Sequence, residues 1–173
     1  MAIEIRVHKK FSARVNRARL KRVVQRALNA EKKLKPSASP SRLSLTIYVA
    51  TDSEIRLLNR KFHATDAATD VLSFPSHAGA VGAILAVAQG DGTPGLQRTQ
   101  GSASEHRPYL GDIIISYDRA RVQARQAQWR IADELDLLAV HGALHLLGYD
   151  DTTPRKRATM WKKQEKILGK VKG

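Results

Sequence analysis

His141 and His145 stand four positions apart, and a glycine at 148 and carboxylates at 150 and 151 follow them. Positions i and i+4 share one face of an α-helix, so both imidazoles point the same way and can hold one ion between them. Leu137, Leu138, Val140, Leu144, Leu146 and Leu147 make the stretch apolar nearly all round, which predicts a buried helix from Ile131 to Leu147. Burial favours the neutral ring, the form with a lone pair to give to a metal. A single histidine on an apolar face is ordinarily a satisfied core residue; a pair followed by a turn and a carboxylate is a metal-ligand pattern. Asp150 and Asp151 are neighbours whose side chains diverge, and the register of the turn decides which of them faces the ion. Gly142 occupies the place of the glutamate in His-Glu-x-x-His peptidases, so the helix lacks that class's general base. The absence of cysteine excludes disulfides, thiolate zinc sites and cysteine nucleophiles, leaving histidine and carboxylate as the available strong ligands.

The elements that must position these residues are readable from periodicity. Ile3-Glu4-Ile5-Arg6-Val7 alternates as a strand, and Ala13 to Lys33 carries Val15, Leu20, Val23, Val24, Ala27 and Leu28 at helical spacing with arginines on the remaining faces. Pro36 to Ser41 reads as a loop, and Leu43 to Val49 as a strand. Thr51-Asp52-Ser53-Glu54 supplies the start of a short helix whose inward stripe is Ile55, Leu58 and Phe62. A short strand, Asp70 to Phe74, ends at Pro75. Residues 76–108 change to Ala, Gly, Gln, Ser and Thr and read as a flexible insertion, with Ala80 to Val87 as a possible edge strand. Leu110 to Ser116 fits a buried strand, Asp118 opens a polar helix toward Gln128, and Gly148 stops the histidine helix. Thr153-Pro154 caps a last helix through Leu168, with Met160, Trp161, Gln164 and Ile167 at helical spacing.

Length and charge bound the class. The 173 residues suit one hydrophobic core, so 1–173 is read as a single domain. Thirty Lys and Arg against sixteen Asp and Glu leave a formal charge of +14, which points to a polyanion, and nucleic acid first. The longest apolar run outside the histidine helix, Ala78 to Ala88, is too short to span a membrane, so the expectation is a soluble, cytoplasmic protein with no membrane partner. The Arg-rich N-terminal segment opens with a strand of the mature fold, which argues against a targeting sequence.

The pattern His141-Gly-x-Leu-His145-Leu-x-Gly-Tyr-Asp resembles the signature of the YbeY family, bacterial single-domain metal-dependent endoribonucleases that take part in ribosomal RNA maturation. Two further blocks look like the same family's: Leu58-Asn59 with Asp66 and Thr69 to Pro75, and Leu110-Gly111-Asp112-Ile113 with Ile115-Ser116. The resemblance covers roughly residues 43 to 75 and 109 to 168, and the 76–108 insertion is longer than the family's usual. This chain departs from the pattern twice. The family's third histidine is here Asp151, and an arginine ahead of the Thr-Asp-Val-Leu-Ser-Phe block is here His63. Position within the motif favours Asp151 over Asp150 as third ligand. Two histidines and an aspartate around Zn²⁺ leave a formal +1 where three histidines leave +2, which predicts weaker Lewis acidity and reduced activity.

The resemblance implies an α+β domain with a mixed sheet of about four strands and the histidine helix buried at its centre. It implies a zinc-dependent endoribonuclease with one ion on His141, His145 and Asp151, acting on single-stranded RNA in ribosomal RNA maturation and ribosome quality control. Asp70 and Asp112, at strand ends in the matched blocks, are candidates to orient the ligands or take a proton from water; a turn or capping role is the alternative for each. Arg60, Lys61 and His63 are candidates to contact the RNA phosphates. The implied partners are an rRNA precursor and, with it, ribosomal proteins or the small ribosomal subunit. Two rival readings are a non-catalytic RNA-binding or ribosome-assembly factor with a structural metal, and a metal-dependent hydrolase of a small substrate.

Overall fold

The alternating runs form strands β1 (Ala2–Val7), β2 (Ser44–Ala50), β3 (Val71–Pro75) and β4 (Tyr109–Ser116) in a computed structural model that describes residues 2–31, 43–76 and 109–169. They make one mixed sheet in the order β1-β2-β4-β3, with β1 and β4 parallel to β2 and β3 antiparallel to β4. Parallel neighbours cannot be joined by a hairpin, so helix α1 (Arg17–Ala30) carries the chain from β1 to β2. Helix α2 (Asp52–His63) and β3 then intervene before β4. Helices α3 (Tyr117–Gln126), α4 (Ile131–Leu146) and α5 (Pro154–Leu168) complete the described residues, an α+β architecture with four strands as expected. The expected strand at Ala80 to Val87 and residues 77–108 of the expected insertion lie outside the described residues.

Period-two alternation gives the sheet two apolar faces. Leu45, Ile47, Val49, Ile113 and Ile115 pack with α1, α4 and α5, whereas Tyr48, Ala50, Leu72, Phe74 and Ile114 pack with Ile55 and Leu58 of α2. Helix α4 contacts β3, β4, α1, α3 and α5. Its N-cap residue, Arg130, makes no side-chain capping bond, which forgoes about 1 kcal/mol. Buried Leu135, Leu138, Val140 and Leu144, at roughly 1.5–3 kcal/mol each, outweigh that omission, so packing rather than capping holds this helix. Arg19 of α1 adds an anchor, its guanidinium bonding Asp136 at 2.7 Å and Asp133 at 2.6 Å. Burial nevertheless pushes the Asp136 carboxyl up, against the pull of Arg19.

Two glycines set how closely these layers meet. A Cβ on Gly142 would stand 2.6 Å from Ile113 Cγ2 and 3.0 Å from Ser73 Oγ, so glycine lets α4 lie directly on β3 and β4. Strand β4 carries one extra residue against β2: Ser44 pairs with Tyr109 and Leu45 with Gly111, leaving Leu110 between them. Gly111 takes φ +143° at this bulge.

Several boundaries differ from the periodicity. The first helix begins at Arg17 rather than Ala13, because Lys9–Phe11 form a 3-10 turn and Asn16 Oδ1 caps the Arg19 N–H at 3.0 Å. Helix α3 stops at Gln126, two residues early, where Gln128 turns to φ +55°.

Candidate metal centre

The end of α4 folds as the glycine predicts. Gly148 adopts φ +86°, the Gly148 N–H donates to the His145 carbonyl at 2.9 Å, and the Tyr149 N–H donates to the Leu144 carbonyl at 3.0 Å. This is a Schellman motif, with the left-handed residue just past the helix. The reversal has two consequences for the histidines. It lays the Tyr149 carbonyl on His145 Nδ1 at 3.0 Å, and it returns Asp151 to the helix, its carboxylate 3.8 Å from His141 Nε2 and 4.0 Å from His145 Nε2.

Hydrogen bonding fixes the tautomers. Tyr149 offers His145 Nδ1 only a carbonyl, so Nδ1 carries the proton and Nε2 the lone pair. Buried Gln164 of α5 does the same for His141, its Oε1 accepting from Nδ1 at 2.8 Å. Burial, and then the neighbouring His141, push the His145 ring below the usual histidine range, keeping it neutral. The two Nε2 atoms lie 2.9 Å apart with no proton to share, so their lone pairs confront each other. A cation between them resolves that repulsion, since both nitrogens can bond one zinc at about 2.0–2.1 Å. The three donor atoms of His141, His145 and Asp151 all lie within 4.8 Å of one another, so the residues fit one divalent ion. Because Gln164 orients His141 from behind, Gln164→Leu is expected to weaken metal affinity by roughly 10–100-fold with the helix content unchanged, read by competition with a chromogenic chelator and circular dichroism.

Two cavities share His141, Asp151, Asp70 and Val71 on their walls. One, of about 500 Å³, is bounded also by His63, Thr69, Ser73 and His145. The other, of about 320 Å³, lies between α3, α4 and α5 and includes Gln123, Glu134, Arg157 and Trp161. Asp70 is held rigidly: Oδ1 accepts from the Val71 N–H at 2.8 Å and the Thr69 hydroxyl at 3.2 Å, and Oδ2 accepts from Gln123 Nε2 at 2.9 Å. A carboxylate has about four lone-pair sites, so one remains open.

The structure thus brings together His141, His145, Asp151, Asp70 and His63, the last lying against Phe74 with ring centroids 5.6 Å apart. It does not bring Arg60, Lys61 or Asp112 to them. Arg60 sits almost a turn before His63 on α2 and lines a different cavity with Arg56, Asp66 and Arg119. Lys61 is turned over the Phe62 ring, 5.7 Å from its centroid, and lines neither of the two cavities at the histidines. Asp112 alternates with Ile113 and pairs with Phe74, so it faces the α2 side of the sheet, opposite α4. There the Tyr109 hydroxyl donates to its carboxylate and accepts from the Thr46 hydroxyl.

Burial pushes the Asp112 carboxyl up to about 6, opposed by the Tyr109 bond. A folded-state pKa above the unfolded value means stability that is fully present below the unfolded pKa, near 4, and is lost as pH rises through about 6. Between pH 7.5 and 5 the wild type is therefore expected to gain about 1 kcal/mol relative to Asp112→Asn, measured as the difference between their urea midpoints at the two pH values.

Sequence reasoning passed over Arg157, Glu134 and Gln123, because the cavity that unites them exists only once α3, α4 and α5 converge. Gln164 left a signal, a glutamine on the otherwise apolar stripe of Met160 and Ile167. A buried amide needs a partner, and His141 is that partner.

The chain is similar to proteins whose roles are named. A relative from Chloroflexus aggregans, named Endoribonuclease YbeY, is 38% identical over 155 residues, covering 89% of this chain and 86% of the relative. One of the same name from Bacillus subtilis is 36% identical over 124 residues, covering 72% and 69%. A solution structure from Thermotoga maritima matches the fold with a TM-score of 0.54 at 22% identity, covering 96% of this chain and 86% of that one. The model of the family described as Endoribonuclease YbeY matches residues 4–172, and with relatives of this identity and coverage the chain belongs to the YbeY family.

Proposed function

We propose that this chain is a zinc-dependent endoribonuclease that cuts single-stranded RNA during ribosomal RNA maturation. One observation carries the reading: two imidazole Nε2 lone pairs face each other at 2.9 Å, beside Asp151, at the meeting of two open cavities. Membership in a family whose relatives are named endoribonucleases supports the reaction class. His141, His145 and Asp151 would hold the ion, which when bound supplies Lewis acidity toward a phosphoryl oxygen and acidifies water.

The remaining steps fall to the protein. Asp70, with one lone pair open and its other three bonded, is fixed to accept a proton from the attacking water. Arg157 is the one arginine on the walls of the two cavities among the described residues, and it takes the phosphate-neutralising role there. His63 lines the other cavity, where its ring N–H would donate to phosphate. A phosphodiester reaches a site recessed between helices more readily from a flexible single strand than from a stiff duplex. The +14 charge supports an rRNA precursor, and with it the small ribosomal subunit, as partner. The family match to residues 4–172 supports a single domain. An rRNA precursor as substrate supports a cytoplasmic location. No helix among the described residues is long and apolar enough to cross a membrane.

The test is cleavage of a defined single-stranded RNA by protein of measured metal content. Chelation is expected to stop cleavage and zinc to restore it. Asp151→Ala is expected to lose both metal and cleavage, and Asp151→His to cut faster than wild type because it restores the site's second positive charge. Metal retained in full by Asp151→Ala, or cleavage indifferent to chelation, sinks the assignment.

A further inference from the structure

The 320 Å³ cavity between α3, α4 and α5 shares His141 and Asp151 with the metal centre, yet most of its wall has no part in holding an ion. Its side chains are of two kinds. Trp161 is an exposed indole, 38% accessible where apolar side chains of its size are normally covered, and Leu137 and Leu138 lie on the same wall. Glu134 brings a carboxyl to the cavity although the residue is only 4% exposed, and no cation among the described residues pairs with it. The Trp129 indole N–H lies beside this carboxyl, close enough to oppose the effect of burial, but without hydrogen-bonding geometry. Burial pushes the Glu134 carboxyl up to about 7, so above that pH it is ionised and only accepts. Gln123 is committed through its Nε2 to Asp70, which fixes the amide's orientation and leaves its Oε1 buried and without a donor among the described residues. A buried acceptor left unmade costs about 1–3 kcal/mol. A natural protein tolerates such groups where a ligand supplies the missing donors.

We propose that this cavity is a nucleobase subsite of the RNA cleft, in which one unstacked base that carries an exocyclic amino group lies on Trp161 and donates to Glu134 and Gln123. The inference rests on the RNA reading above and deepens it by naming the base chemistry. A flat aromatic wall with a few buried polar atoms is how single-stranded bases are held, by stacking on the face and hydrogen bonding at the edge. The volume lies at the low end of ligand pockets, which run from about 300 Å³, and suits one base rather than a stacked pair. The acceptors decide which base. Adenine, cytosine and guanine offer two hydrogens on one amino nitrogen, enough for both acceptors, whereas uracil has a carbonyl in place of cytosine's amino group and a single N3–H, enough for only one. Arg157, on the same wall as Asp151, is placed for the phosphate that links this base to the scissile position. The subsite therefore sets where along a strand the cut falls.

The chain's two tryptophans, 129 and 161, both lie at this cavity or against Glu134, so intrinsic fluorescence reports on it. The experiment is a fluorescence titration, at pH 8.5 where the Glu134 carboxyl is ionised and only accepts, of the purified zinc-loaded protein with the hexanucleotides (A)6, (C)6 and (U)6. Expected is binding of (A)6 and (C)6 about tenfold or more tighter than (U)6, the discrimination that one good edge pairing provides. In Glu134→Gln, which keeps the shape but presents a donor as well as an acceptor, that ratio is expected to fall to within about threefold at unchanged zinc content. Trp161→Ala is expected to weaken all three alike. Equal affinities in the wild type, or a preference that Glu134→Gln leaves intact, overturn the subsite while the nuclease reading stands if RNA is still cut. No binding and no cleavage of any RNA overturns the nuclease reading and the subsite with it. A merely structural Glu134 would shift stability without moving the ratio.

Discussion

His145→Ala is expected to abolish metal binding and RNA cleavage together, with a fall in rate of a thousandfold or more, while the protein stays folded. Metal-ion stabilisation of a phosphoryl transition state is worth several kcal/mol, and each 1.36 kcal/mol is tenfold, which sets that order of magnitude. The fold survives because His145 is no part of the apolar cluster that holds α4 down, its side chain being 28% exposed. The substitution frees the Tyr149 carbonyl at a partly open helix end, where water can replace the lost donor. Elemental analysis, a cleavage assay and a thermal melt on the same sample check all three parts. Full metal occupancy in His145→Ala would remove the residue from the site. The losses should grade by ligand: Gln164→Leu weakens the site, Asp151→Ala empties it further, and His145→Ala leaves no pair for an ion to bridge.

The largest loss of stability is expected at Gly111→Ala, about 3–5 kcal/mol against a total of the order of 5–15. A Cβ there would stand 2.1 Å from the Phe74 carbonyl oxygen and 3.0 Å from Leu146 Cδ2. The first contact is with backbone, fixed by the pairing of β3 with β4, so β3 would have to move as a unit. The glycine's φ of +143° adds strain for any residue with a side chain. Gly148→Ala serves as the comparison, since Gly148 is also left-handed, at +86°, but meets nothing within 4 Å. Its loss should be confined to the backbone term, about 1–2 kcal/mol. Urea denaturation of both variants measures the difference, and equal losses would refute the steric argument.

How far the amino acids announce this arrangement differs between the site and its surroundings. The histidine pair, its glycine stop and the returning carboxylate are legible because they are local: helical periodicity and one left-handed turn determine where three side chains go. The strands are legible for the same reason, down to the alternation of Leu45, Ile47 and Val49 against Thr46, Tyr48 and Ala50. Which face of the sheet receives the histidine helix is a tertiary fact. Asp112, at a strand end in a matched block, therefore looked as close to the metal as Asp70, yet alternation sends it to the opposite face. Arg60 and His63 share α2 in the same way, but only the residue at its last position meets the cavity beside His145. Glu134, Gln123 and Trp161 lie on three helices, and no spacing within the chain shows that they share one wall.

The compact span of the metal ligands, all between positions 141 and 151, bears on how metal and folding are linked. A chelate this local closes with little loop entropy, even in a chain that has lost its sheet. The denatured protein therefore competes for the ion, and a ligand that binds both states shifts the unfolding equilibrium by less than its native affinity would suggest. Metal loading should raise the melting temperature only modestly while governing activity completely. For this chain, occupancy of the site and integrity of the fold are separate quantities, and a well-folded preparation can be an inactive one.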